Sequence, residues 1–77
     1  MSNLLTNREK EVLKLIAYEN TNDEIARKLY ISNHTAKTHR KNLLIKLSVK
    51  NSAGLVRRGF ELGLIPIDFP VMMSAAV

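Results

Sequence analysis

The sequence predicts an all-α domain of four helices, and three observations carry that expectation. Apolar residues recur at helical spacing in separate stretches, with no strand-like alternation and no internal repeat. Polar clusters punctuate those stretches, and two of them hold a threonine followed three residues later by a glutamate, a helix-opening signature. The 77 residues suffice for one small core and leave no room for a second.

Taken in order, Thr6 with Glu9 forms a capping box that opens a first helix over about residues 7–19. Its Val12, Leu13, Ile16 and Ala17 share one face and should point inward. Asn20, Thr21 and Asn22 read as a turn, and Thr21 with Glu24 repeats the capping box. The second helix then spans about residues 22–29 and should bury Ile25, Ala26 and Leu29. Tyr30, Ile31 and Ser32 make a tight link in which Ser32 is placed to cap a third helix. That helix is expected over about residues 33–47, a length of about 22 Å. Residues 49–52 read as a connector, and a fourth helix follows over about residues 53–62, stopped by Gly63. Gly54 and Gly59 weaken the fourth helix intrinsically, so packing must hold it.

The third helix divides into two faces. Ala36, Leu43 and Leu47 fall within about 40° of one another around its axis and form a core stripe. His34, Lys37, Thr38, Lys41 and Ile45 lie on the opposite side. A short helix, a tight turn and a basic-faced helix together make the helix-turn-helix plan, in which the later helix enters the DNA major groove.

Charge is distributed to match. The net charge is +5, yet residues 1–30 hold five basic and five acidic side chains and so contribute none of it. Residues 31–58 hold seven basic side chains and no acidic one, and beyond them only Glu61 and Asp68 are charged. A field of one sign is the footprint expected for a polyanionic partner, although a solvated basic face fits the charge alone equally well. Other classes are disfavoured. There is no cysteine, which excludes disulfides and thiolate metal sites. No stretch approaches the roughly 20 apolar residues of a membrane span. Asn3, Thr6, Asn7 and Arg8 interrupt any leader-like run, so a soluble cytoplasmic protein is expected. His34 and His39 lie five apart without a third ligand nearby, and no serine, histidine and acid grouping suggests a nucleophile. Neither a metal, a cofactor nor an enzymatic activity is expected.

More specific are the residues Leu5-Thr6-x-Arg8-Glu9-x-Glu11-Val12-Leu13 and Asn22-x-Glu24-Ile25-Ala26. Leu29-x-Ile31-Ser32, Thr35-x-Lys37-x-His39, Lys46-Leu47-x-Val49-x-Asn51 and Gly63-Leu64-Ile65 follow in the same order. From Leu5 to Ile65 the pattern resembles the LuxR-type (GerE-like) helix-turn-helix family, which includes the NarL/FixJ-type response regulators. The resemblance implies a bacterial transcriptional regulator, or the output domain of one, that binds a two-fold-related promoter site as a dimer. It implies base-edge contacts for Lys37, Thr38 and Lys41, and phosphate-backbone contacts for Asn22, Thr35, His39 and Lys46. Chemistry agrees for several: lysine donates to guanine O6 and N7, and a threonine methyl packs on thymine. Asn22 and Thr35 sit at helix N-termini, where side chain and backbone N–H groups meet a phosphate. His39 fits a structural place at the core edge as well as it fits a phosphate.

The last helix commonly supplies the dimer contact in this family. Here Leu55, Val56 and Phe60 give it an apolar side larger than one small core requires, so a weak homodimer is expected. RNA polymerase is a further expected partner. Several residues depart from the family pattern. Glu19, Asn20 and Ser48 stand where glycine-containing turns are usual, and the turn after the first helix is therefore expected to be built differently. Ala36 replaces a valine, Arg40 a commonly apolar residue inside the core arc, and Ser52 an arginine. Arg40 is expected to reach for the rim of the core. Two other readings share the fold: a protein-interaction module that has lost DNA binding, and a promoter reader like sigma region 4. The regulatory domain is assigned to residues 1–65. Residues 66–77 form an apolar tail outside the pattern, read either as a plain terminus or as an arm packing on its own domain or a sister subunit.

Overall fold

The computed structural model describes residues 4–65, which form α1 (Asn7–Ala17), α2 (Asn22–Leu29), α3 (Asn33–Leu47) and α4 (Ser52–Glu61). Among the described residues there is no strand. The apolar tail at residues 66–77 lies outside them.

Each helix opens on a side chain that caps it. Thr6 and Thr21 both complete the capping box: each hydroxyl accepts from the backbone N–H of the glutamate three residues on, and that glutamate accepts from the threonine N–H. Ser32 caps α3 by accepting from Thr35 N–H at 3.0 Å. Asn51 caps α4 by accepting from Gly54 N–H at 3.0 Å. That cap starts α4 at Ser52, one residue before the position expected from the sequence.

The helices also close alike. After each one, two successive N–H groups turn back to the carbonyls of the last turn, Glu19 to Ile16 and Asn20 to Leu15 in the case of α1. The same pair of bonds joins Tyr30 and Ile31 to α2, Ser48 and Val49 to α3, and Gly63 and Leu64 to α4. This closure, the Schellman motif, needs a left-handed residue just beyond the helix. Glu19 (φ 67°), Tyr30 (φ 58°) and Ser48 (φ 56°) take that conformation, with Gly63 (φ 72°) in the same place after α4. The turn after α1, where glycine was expected to be replaced, thus closes in the same way as the other three. It is the same closure, made on a glutamate, and it ends α1 two residues early. Asn20 then stitches the turn: its side chain donates to Leu15 O at 2.9 Å and accepts from Lys28 Nζ at 2.6 Å.

The elements meet around α3, which packs against all three others, while α1 also packs on α2 and α4. Val12 and Leu13 of α1, Ile25 of α2, Leu43 of α3 and Leu55 of α4 are wholly buried at the centre. Ala36 and Leu47 complete the inward stripe of α3, whereas Leu29 is only half-buried. The glycines of α4 explain how that helix is held. A Cβ on Gly59 would meet Ile65, with Cγ1 at 2.9 Å, and one on Gly54 would lie 2.8 Å from Val49 Cβ. Both let a neighbouring segment press against the helix backbone, exchanging intrinsic helix propensity for close packing.

Candidate nucleic-acid interface

The α2–α3 unit is tied together at the end where both helices begin. Asn33, first residue of α3, donates through its side chain to the carboxylate of Asp23 in the first turn of α2. Ser32 Oγ donates in turn to Thr35 Oγ1 at 2.9 Å, which fixes the first turn of α3 from within. Two helix N-termini are thus joined, and each carries partial positive charge and N–H groups that no intrahelical carbonyl uses.

From that end an exposed stripe runs down α3. His34, Lys37, Thr38, Lys41 and Ile45 are all exposed, directly opposite buried Ala36, Leu43 and Leu47. Among the described residues no carboxylate forms an ion pair with Lys37 or Lys41. Thr38 Oγ1 donates to His34 O at 3.1 Å, so outward it offers an acceptor and a methyl group. Asn22, Thr35 and His39 are half-buried on the flanks of this unit.

Lys46 is placed differently. Its ammonium lies 2.8 and 3.1 Å from the two carboxylate oxygens of Glu9, linking the end of α3 to the start of α1. Burial pushes the Glu9 carboxyl up, but bonds from Lys46 and from Thr6 outweigh that and hold it below the ordinary value. Sequence reading took Glu9 for a cap alone. It is a cap and also a buried anion, and no local pattern joins residues 9 and 46.

Two departures from the family pattern prove to be one contact. Arg40, half-buried on α3, extends to the rim of the core and donates to Ser52 Oγ at the start of α4. An arginine on α3 and a serine on α4 thus link the two helices through a hydrogen bond. Asn20, Thr21 and Asn22 line a surface groove together with Arg40 and Ser52.

One expectation is corrected. Leu55 has no exposed surface and belongs to the chain's own core, so it has nothing to offer a partner. Val56 and Phe60, expected beside it at a dimer contact, are half-buried. Arg58 and Arg57 both reach Glu61, at 2.7 and 3.2 Å, and their donated bonds, that of Arg58 foremost, hold its carboxyl below the ordinary value. Among the described residues no three histidine, cysteine or acidic side chains come together as metal ligands, and no helix is long and apolar enough to cross a membrane.

Comparison with known proteins places this geometry among relatives. The family model for bacterial regulatory proteins of the luxR family matches residues 3–58. The response regulatory protein YgeK of Escherichia coli is 45% identical over 65 residues, which cover 84% of this chain and 44% of that protein. The transcriptional regulatory protein MctR of Rhizobium johnstonii is 45% identical over 64 residues, 83% of this chain and 30% of its own. The chain therefore spans less than half the length of these two relatives. The spore germination protein GerE of Bacillus subtilis matches more evenly, at 40% identity over 60 residues, 78% of this chain and 81% of its own. A solved structure of the transcription factor GerE superimposes with a TM-score of 0.78 at 30% identity, covering 83% of this chain and 96% of that one.

Proposed function

From a chain that belongs to the luxR family of bacterial regulatory proteins, we propose a promoter-reading module that lays α3 in the major groove of double-stranded DNA. Lys37, Thr38 and Lys41 meet base edges, the two lysines as donors to guanine and Thr38 as a methyl contact or acceptor. Asn22, Thr35 and His39 stand toward the phosphates on either side, where the joined N-termini of α2 and α3 favour an anion. Lys46 adds to that field with whatever donor capacity its ion pair with Glu9 leaves. The observation that carries this reading is the stripe on α3: two exposed lysines on the face opposite the core, without acid partners among the described residues.

The module acts without catalysis, in the cytoplasm, as a weak homodimer. Val56 and Phe60 on α4 form the contact, and RNA polymerase is a partner once the site is occupied. The response-regulator names among the relatives support a role as the output part of a larger protein.

Selection of bound sequences from random duplex DNA tests the reading. A two-fold-related motif is expected, with half-sites about one helical turn apart. The affinity for it should fall steeply with salt, because each neutralised phosphate releases a counterion and adds about 0.9 to the logarithmic slope. No enriched motif, together with salt-insensitive binding, would assign the fold to a protein-interaction module instead.

A further inference from the structure

Ile45 is an anomaly on the α3 stripe. It is a large apolar side chain, 64% exposed, on the same face as two lysines. It follows Lys41 by four residues, about 6 Å along the axis and about 40° around it, and Thr38 by seven, about 20° around. It lies outside the core formed by the described residues, and no acidic residue lies between positions 31 and 58. An apolar protein surface would gain nothing from the adjoining lysines, whereas a nucleic-acid groove attracts them. In that groove the bases present donors, acceptors and one apolar group only, the C5-methyl of thymine.

Resting on the reading of α3 as the groove helix, we propose that Ile45 is a specificity-determining residue that packs against a thymine C5-methyl group. Its β-branched side chain is held to essentially one rotamer in a helix, which suits a fixed apolar contact better than a flexible chain would. Bases follow one another by about 3.4 Å along a strand. The thymine therefore lies one or two base pairs beyond the pair met by Lys41, in each half-site.

The test removes the methyl from the DNA and the side chain from the protein separately. Each thymine of the selected duplex is replaced singly by deoxyuridine, which keeps pairing and loses only the C5-methyl. Affinities are measured for the native chain and for Ile45→Ala. For the native chain, one replacement per half-site should weaken binding about fourfold, the factor for roughly one methyl group returned to water. Ile45→Ala should bind the thymine duplex more weakly and be indifferent to that same replacement. It should keep its melting temperature, because the side chain is outside the core. A flat deoxyuridine scan, or a penalty equal in Ile45→Ala and the native chain, overturns the proposal. If Ile45→Ala leaves both affinity and the scan unchanged, the proposal fails and the side chain belongs to a protein contact. If the native chain binds no duplex at all, the groove reading itself fails, and this inference with it.

Discussion

Glu9 shows how much one residue can be asked to do. Its carboxylate closes the capping box of α1 and receives the ammonium of Lys46 from the far end of α3. Because the folded carboxyl keeps its charge to lower pH than the unfolded one, the stability it adds is complete above the ordinary value of 4.5. That stability is lost as pH falls through the lowered folded value. Glu9→Gln keeps an acceptor for the Thr6 N–H but not the charge. In urea unfolding it should cost about 1.5–3 kcal/mol near neutrality, the range for a hydrogen bond to a charged group. Its stability should then fall less on acidification than that of the native chain. Glu24 and Glu61, lowered in the same direction, leave a residual acid dependence in the variant. Lys41→Ala is the complementary experiment at the interface. It should weaken DNA binding by about 1–3 kcal/mol and relax selection at one base position, without moving the melting temperature. Lys46→Ala should lower the melting temperature as well, since it strands the buried Glu9 carboxylate.

Among the elements, the way each helix ends has more consequence than the way it begins. Three of the four closing residues are left-handed without being glycine, at about 1–2 kcal/mol each relative to the right-handed form. Ser48→Gly should therefore stabilise the domain, by up to about 1 kcal/mol once the freer unfolded chain is counted. Gly59→Ala should do the reverse by about 1–3 kcal/mol, because its Cβ would collide with Ile65 against the packed face of α1. Chemical denaturation of the two variants checks both signs. These contrasts also mark what the sequence discloses. Thr6, Thr21 and Ser32 act on groups three residues away, so the starts of α1, α2 and α3 could be read directly, and so could both ends of α2 and α3. Glu19 is an ordinary helix former whose left-handed conformation carries no local signal, so the sequence places the end of α1 two residues too late. Periodicity discloses an apolar face on α4 but not which part of it turns inward, so it does not separate buried Leu55 from half-buried Val56 and Phe60. On α3 a pattern of exposed and buried residues was legible because the helix has one buried side. The pairing of Glu9 with Lys46 was not, since two charges 37 positions apart carry no mutual signal in a single sequence.

For the molecule as a whole, the proposed assembly on DNA can be tested directly. Sedimentation of the complex should give two chains per full site and mostly single chains without DNA, because Leu55 is buried and Val56 and Phe60 are half-buried, which leaves a small contact on α4. One chain per full site would remove the dimer. The groove helix is fastened at its start by the Ser32 cap and the Asp23–Asn33 bond, and at its end by the Glu9–Lys46 pair and the Ser48 closure. A helix held in that way has no register or length left to give, so any misfit between two half-sites must be absorbed by the duplex. Affinity should then depend on bases that no side chain reaches. Replacing a yielding pyrimidine–purine step between the half-sites with a stiff adenine tract should weaken binding although every contacted base is kept. On the proposed two-half-site reading, the fastening of one helix would turn the bending stiffness of the intervening DNA into part of the recognition sequence.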